Sequence, residues 1–257
     1  MSKRNIVVIV FGLAVGVFGG MFGLGGGVIM IPVLLYVFKK NIHAAAATSL
    51  AVIGPMAVSG TIGNILSGTI VWPAFLFLSA GSIAGAYFGA HMSKKIPQDL
   101  LRKMLGIFVL VIALSMVFLP SRAQAVSGFS GSVSLLAGLV MIFSGLAVGV
   151  FSGLFGLGGG VIMNPLMLFG FGFTAHQTVA TSLAVIVPTS LSGTLKQFRQ
   201  GHIDLRLAGL LSAGACVGAF AGAKLKEHIN NNDLKVLLGL AVALVALTIL
   251  FKKSKQE

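Results

Sequence analysis

The chain contains the same apolar, glycine-rich segment twice. Residues 12–30 read GLAVGVFGGMFGLGGGVIM and residues 145–163 read GLAVGVFSGLFGLGGGVIM, so 17 of these 19 positions are identical at an offset of 133. The offset continues without a gap through Pro32 and Pro165 to the segments TSLAVI that begin at Thr48 and Thr181. A duplicated apolar unit interrupted by Gly and Pro is typical of transporters, whose substrate site lies where the two halves meet.

The composition indicates that most of the chain is surrounded by lipid. Of the 257 residues, 56% are hydrophobic and 9% are charged, and the mean hydropathy is +1.02. Apolar runs of roughly 17–25 residues recur along the chain, which predicts a polytopic all-α membrane protein, because helices satisfy their own backbone groups in a bilayer. The net charge of +13 comes from clusters at the ends of apolar runs, which favours contact with lipid headgroups over nucleic acid.

The repeat predicts two halves of four segments each. In repeat one (1–120) we expect a glycine-broken helix over 5–38 and helices over 43–66, 71–92 and 101–119. A linker follows at 121–134. In repeat two (135–257) the corresponding segments are a broken helix over 135–171 and helices over 176–198, 204–224 and 234–251.

The basic residues favour an inverted relationship between the halves. If each broken segment folds back as a hairpin, 14 of the 18 Lys and Arg residues lie on one side and four on the other. If it crosses the membrane once, the halves are parallel and the basic residues divide nine and nine. The excess of Lys and Arg in cytoplasmic loops favours the first arrangement, although the second stays open.

The glycine breaks are the leading candidates for a binding site. Glycine lets the backbone approach a ligand closely and adopt positive φ, and a helix that starts in the membrane points unpaired N–H groups at that ligand. We therefore expect substrate contacts from Gly25, Gly26, Gly27, Gly158, Gly159 and Gly160. A tight hairpin without a ligand is the structural alternative.

Hydroxyl groups recur beside this site in both halves. Thr48, Ser49, Thr181 and Ser182 are neutral donors suited to an oxyanion, although a helical Ser or Thr also commonly bonds to the preceding turn. A role at an entrance or in coupling is predicted for the remaining candidates, which are His43, Asn64, His176, Lys196 and Gln197.

The distribution of acidic residues indicates an anionic or neutral substrate. All five Asp and Glu residues lie near segment ends, whereas carriers of cations normally bury a carboxylate. A single cysteine, Cys216, excludes disulfides within the chain and Cys-based metal sites. We expect no metal, no cofactor and no enzymatic activity. Coupling to protons or sodium and assembly as a homodimer stay open.

Two copies of F-G-L-G-G-G-x-x-x-x-P, each followed by A-T-S-L-A-V, resemble the TauE/SafE family of sulfite and organosulfonate exporters, also called the toluene sulfonate uptake permease family. The resemblance covers essentially the whole chain. It implies an inner-membrane carrier for small sulfur-containing anions or related carboxylates, with no prosthetic group. It places the family motif at Gly23–Gly27 with Pro32, at Gly156–Gly160 with Pro165, and at the two Thr-Ser pairs. Asn164, where repeat one has Ile31, departs from strict symmetry.

Three hypotheses for function follow from these observations. The first is a secondary transporter for a small sulfur-containing oxyanion. The second is an anion channel built on the same repeat. The third, a membrane enzyme or assembly factor, is weakened by the lack of clustered acidic, His and Cys residues.

Overall fold

A computed structural model of the chain describes residues 3–97, 100, 104 and 135–240. Repeat one contributes α1 (Lys3–Phe22), α2 (Gly27–Tyr36), α3 (Ile42–Leu66) and α4 (Trp72–Ser93). Repeat two contributes α5 (Leu135–Phe155), α6 (Gly160–Pro165) with a π-helical continuation (Leu166–Gly170), α7 (Ala175–Arg199) and α8 (Leu205–Leu225). A short 3₁₀ turn (Lys226–His228) follows, and residues 231–240 are helical. The predicted helix 101–119, the linker and residues 241–251 lie outside the described residues.

The prediction of an all-helical polytopic membrane protein is confirmed. Among the described residues, six helices are long and apolar enough to cross a membrane, namely Asn5–Phe22, Ile42–Leu66, Trp72–Ser93, Leu136–Phe155, Ala175–Arg199 and Leu205–His228. Two shorter apolar helices, Gly27–Tyr36 and Gly160–Gly170, follow the glycine breaks. Two of the long helices begin at side-chain caps, since Asn41 accepts a hydrogen bond from the amide of Ala44, and Thr174 forms a capping box with Gln177.

Helices from opposite halves interlock through glycine. In α1, the glycines at 12, 16 and 20 lie against the backbone of α8 at Leu211, Ala215 and Ala219. In α4, the glycines at 81, 85 and 89 lie equally close to the backbone of α5. A Cβ at any of these glycines would overlap a carbonyl oxygen of the facing helix, so only glycine permits this approach. The first long helix of each half therefore packs on the third long helix of the other half.

The contacts also define helix directions. Residue numbers rise together along α1 and α8, and along α3 and α8, where Ser59 bonds to Cys216 and Gly63 faces Ala223. Helices α1, α3 and α8 are therefore parallel. Along α3 and α7 the numbers run oppositely, since Gly54 faces Ser190 whereas Gly60 faces Leu183. The equivalent helices α3 and α7 thus cross antiparallel near their midpoints.

The chain doubles back at each glycine break. Gly26 lies against Val15 and Gly159 lies against Val148, each about three helical turns earlier in the preceding helix. Because α1 and α3 are parallel, α2 returns between them, and α1 and α3 begin on the same side of the bundle. The breaks are consequently enclosed by helices from both halves.

Candidate functional site

The two glycine loops lie against each other in the middle of the protein. A Cβ on Gly27 would stand 2.8 Å from the carbonyl oxygen of Gly156, and one on Gly160 would overlap the carbonyl oxygen of Gly23. Gly25 and Gly158 both pack on Ile53 and Ile186, which are close to the midpoints of α3 and α7. The tertiary fold thus unites two segments that are 133 residues apart in sequence.

The loop backbone takes conformations that favour glycine. Gly23, Gly25 and Gly26 have φ values of 65°, 74° and 69°, and the equivalent residues of the second loop have values of 71°, 78° and 89°. An L side chain in this left-handed region costs roughly 1–2 kcal/mol per residue. The repeated Gly-Leu-Gly-Gly motif is therefore a backbone requirement at both breaks, in addition to whatever it contributes to ligand contact.

The carbonyl and amide groups of the six predicted glycines differ in their hydrogen bonding. The carbonyl oxygens of Gly26 and Gly159 accept the first hydrogen bonds of α2 and α6, at 3.0–3.2 Å. The N–H groups of Gly25–Gly27 and Gly158–Gly160 donate no hydrogen bond to any residue that the structure describes. Unpaired amides and the positive end of a helix dipole favour an anion, and such groups are costly in a bilayer without a partner.

The two serines are brought directly to the loops. Ser49 Oγ donates to the carbonyl oxygen of Gly156 at 3.0 Å, and Ser182 Oγ donates to that of Gly23 at 2.6 Å. Each serine therefore holds the glycine loop of the opposite half. A hydroxyl has one proton to donate, so in this conformation both are committed to the loop backbone.

The two threonines face the helix starts of the opposite half. Thr48 Oγ1 accepts a hydrogen bond from the amide of Asp204 at 3.1 Å, and Thr181 Oγ1 accepts one from Val71 at 3.0 Å. Asp204 and Val71 are the N-cap residues of α8 and α4. Neighbouring Thr and Ser residues thus connect three structural elements, and the recorded hydrogen bonds to the glycine loops come from the serines.

The two predicted histidines lie at opposite ends of the bundle. The ring of His43 stacks on that of His202, with centroids 5.9 Å apart, and the buried Nδ1 atoms of both rings have no hydrogen-bond partner among the described residues. The Nε2 atom of His176 lies 2.9 Å from the carbonyl oxygen of Ile229. Neither histidine contacts the glycine loops through the bonds that the structure records for it.

The remaining predicted residues lie along α3 and α7. Asn64 is fully buried and its amide donates to Gly60 at 2.8 Å, within its own helix. Gln197 is 1% exposed, and neither of its polar side-chain atoms has a hydrogen-bond partner in the part of the chain that the structure describes. Lys196 stands 4.8 Å from the centre of the Tyr87 ring, which fits a residue at the membrane surface. Asn64 and Gln197 are buried in this conformation, so neither lines an open entrance here.

Three functional candidates are missed by sequence reasoning. Lys226 is fully buried, and its Nζ donates to the carbonyl oxygen of His176 at 3.3 Å. Ser152, which replaces Gly19 of the first repeat, has a hydroxyl with no partner among the residues described, 3.8 Å from where a Cβ on Gly159 would stand. His202 is the third. The substitution of Gly19 by Ser152 is visible in the aligned repeats and is the one signal that points to any of them.

Asp204 connects Thr48 of the candidate site to the start of α8. Its carboxylate caps α8 by accepting from Leu207, and it forms an ion pair with Lys40 at 2.7 Å. The hydrogen bond from Lys40, followed by that from the Leu207 amide, lowers the pKa of Asp204 below its ordinary value. Among the described residues, no three His, Cys, Asp or Glu side chains are grouped to hold a metal ion.

Comparison with known proteins agrees with this architecture. The family model described as "Sulfite exporter TauE/SafE" matches residues 1–116 and 140–257. The chain is 27% identical to the probable membrane transporter protein YunE of Bacillus subtilis, over 96% of this chain and 97% of that protein.

Two further relatives also match over nearly their whole length. The chain is 28% identical to the probable membrane transporter protein YdhB of Bacillus subtilis, over 96% of this chain and 99% of that protein. It is 24% identical to the probable membrane transporter protein MJ0441 of Methanocaldococcus jannaschii, over 95% and 94%. No solved structure matches significantly. The family model covers nearly the whole chain, and the chain therefore belongs to the TauE/SafE family of membrane transport proteins.

Proposed function

We propose that the protein is a secondary transporter for a small oxyanion, and that the anion binds between the two glycine loops. The substrate class is a sulfur-containing anion such as sulfite or an organosulfonate, or a related carboxylate. One observation carries the proposal: two loops whose glycine amides donate to no described residue lie against each other at the middle of α3 and α7. The family description supports the sulfur-containing class.

Electrostatics favour an anion at this position. Helices Gly27–Tyr36 and Gly160–Gly170 both start at the loops, so the positive ends of two helix dipoles lie close together. The acidic residues that the structure describes are Asp204, Glu227 and Asp233, and all three lie outside the glycine loops near helix ends. Neutral N–H donors replace part of the hydration shell of an anion, and release stays easier than from a fixed buried cation.

The serines have a positioning role in this proposal. Ser49 and Ser182 donate to the carbonyl oxygens of Gly156 and Gly23, and so fix one carbonyl group of each loop. The glycine N–H groups of the loops are then available to the substrate. Thr48 and Thr181 anchor the same turns to the starts of α8 and α4, so a movement of either helix is passed to the loops.

Inverted repeats supply the route for alternating access. The antiparallel crossing of α3 and α7, and the pairing of each α1-type helix with a helix of the other half, support a two-fold axis in the membrane plane. In this proposal the basic ends of α1, α3 and α7 lie on the cytoplasmic side. Rocking of the two halves then exposes the loops to one face of the membrane or the other. A prokaryotic inner membrane is the location that we propose, since the excess of basic residues on one side is typical of cytoplasmic loops.

A flux assay in liposomes tests the proposal. We expect saturable sulfite uptake that is accelerated by sulfite on the opposite side, because a carrier exchanges its substrate across the membrane. Flux that rises linearly with concentration, without acceleration, would identify a channel. Failure of sulfite, organosulfonates and small carboxylates alike to compete would overturn the substrate class.

Matched glycine variants test the site itself. Gly25→Ala adds a methyl group at the loop interface, within 3.4 Å of the Leu157 carbonyl oxygen, at a φ of 74°. Gly68→Ala imposes similar backbone strain at a φ of 63°, with nothing within 4 Å. We expect Gly25→Ala to reduce transport at least tenfold, because the methyl group keeps the substrate from approaching the loop backbone closely. We expect Gly68→Ala to preserve transport, because Gly68 lies away from the loops. Equal transport by both variants would remove the loops from the site.

A further inference from the structure

A polar cavity lies far from the glycine loops, at one end of the bundle. It has a volume of about 450 Å³ and is formed where α1 begins, α2 ends and α8 begins. Its polar lining consists of Asn5, Lys40, Asp204 and Arg206, and its apolar lining of Val7, Val8, Val37, Phe38, Leu207 and Leu210. Pockets for small ligands are commonly about 300–1,000 Å³, so the volume suits a bound molecule.

The repeat does not preserve the polar lining of this cavity. At the offset of 133, Asn5, Lys40, Asp204 and Arg206 correspond to Gly138, Phe173, Val71 and Pro73. In that half Phe171 and Phe173 are in ring contact, with centroids 6.2 Å apart. The ring of Phe77 stands 3.1 Å from the Cβ position of Gly138. One half thus has polar and charged residues at positions where the other half has Gly, Phe, Val and Pro.

The charges in the cavity leave one cation available. Lys40 and Asp204 neutralise each other across 2.7 Å. Arg206 is exposed, and no ion pair joins it to any residue in the described part of the chain. A guanidinium group binds phosphate through two parallel N–H bonds, and Asn5 adds an amide nearby.

The apolar part of the lining continues onto the lipid-facing surface. Val7 and Val37 are both 67% exposed, and Val10, one turn along α1, is 60% exposed. The cavity sits at the level where the membrane spans Asn5–Phe22 and Leu205–His228 begin. It therefore presents a cation at the headgroup level and a hydrocarbon surface below it. Basic pockets between transmembrane helices are general binding sites for anionic lipid headgroups.

We propose that this cavity binds an anionic phospholipid. The phosphodiester is held by Arg206 and Asn5, with the Lys40–Asp204 pair forming the polar wall. An acyl chain lies along Val7, Val10 and Val37. The lipid bridges α1, α2 and α8, and these helices include the start of the hairpin that carries the first glycine loop.

Native mass spectrometry of the full-length, delipidated protein tests the proposal. Phosphatidylglycerol and phosphatidylcholine with identical acyl chains are compared. Both lipids carry the phosphodiester, but the choline of phosphatidylcholine adds a cation beside Arg206, so we expect phosphatidylglycerol to bind preferentially. We expect Arg206→Gln to weaken its binding about fivefold, the factor expected from one basic residue near a lipid surface. Arg199→Gln removes the same charge from another exposed position at the same end of the bundle, and we expect binding unchanged.

Two further measurements separate the alternatives. Leu210→Phe introduces the aromatic residue found at the equivalent Phe77 and should also reduce phosphatidylglycerol binding, while thermal unfolding verifies that the variant is folded. Equal retention of both lipids, or equal losses in Arg206→Gln and Arg199→Gln, would overturn the proposal. Inorganic phosphate binding as tightly as phosphatidylglycerol would instead assign the cavity to a soluble anion and would also overturn it.

Discussion

Ser182 donates a hydrogen bond to the carbonyl oxygen of Gly23 at 2.6 Å and so connects α7 of the second half to the glycine loop of the first. The reciprocal bond joins Ser49 to Gly156 at 3.0 Å. Each half therefore holds the loop of the other, and the two loops are positioned as a pair. This reciprocity makes the geometry of the candidate site depend on both halves at once.

The serine bonds predict a specific loss of transport. Ser182→Ala leaves the Gly23 carbonyl oxygen without a partner, and we expect about 1–3 kcal/mol of lost stability together with a large fall in sulfite transport. Ser192→Ala is the control, because Ser192 also donates across the halves, to Ile83 at 2.8 Å, but away from the loops. Thermal unfolding and liposome flux are measured for both. Loss of transport in proportion to stability in both variants would contradict a site-specific role.

Gly85 and Gly209 are expected to respond in opposite ways to substitution by alanine. Gly85→Ala places a methyl group on the Leu146 carbonyl oxygen of α5, so we expect a large destabilisation or no folded protein. Gly209→Ala lies in α8 with nothing within 4 Å, and alanine should there stabilise the helix by roughly 0.5–1 kcal/mol. Thermal unfolding in detergent measures both. A Gly85→Ala protein as stable as the wild type would show that α4 and α5 pack less closely than described.

Asn164 predicts an asymmetry between the halves. Its amide donates to the carbonyl oxygen of Phe22, at the end of α1, across 2.7 Å. We expect Asn164→Leu to lower the unfolding free energy by about 1–3 kcal/mol, because that buried carbonyl loses its donor. Ile31→Leu, at the equivalent position of the first repeat, is the conservative control and should cost less than about 1.5 kcal/mol. Chemical unfolding of the two variants compares them directly, and equal losses would show that the Asn164 bond contributes nothing.

The Lys40–Asp204 pair predicts a stability change in acid. The folded-state pKa of Asp204 is lowered by the hydrogen bond from Lys40. The stabilisation of the folded state by the ionised carboxylate is therefore fully present above the ordinary Asp pKa of about 3.9. It is lost as the pH falls through the lowered folded-state pKa. We expect Asp204→Asn, which retains a capping side chain, to remove this part of the pH dependence. Melting temperatures between pH 7 and pH 3 measure the difference, and parallel profiles would contradict it.

Local sequence information was sufficient for the membrane-spanning helices and for the candidate loops. Apolar runs of spanning length predicted the six long helices, and the Gly-Leu-Gly-Gly-Gly breaks marked the places where a helix stops and restarts. These features depend on residues close in sequence, such as the positive φ values of Gly25 and Gly158. The serines and threonines were recognised as a pair because the repeat preserves them, but their different partners were not evident.

The sequence by itself determined that this is a duplicated, helical membrane protein with two backbone breaks, because hydropathy and glycine content act locally. Only the tertiary structure decided that α1 packs on α8 and α5 on α4, since a stripe of small residues does not specify which backbone it meets. The same holds for Ser49, whose partner Gly156 is 107 residues away. It holds also for the cavity at Arg206, which exists because neighbouring helices from different halves leave space there.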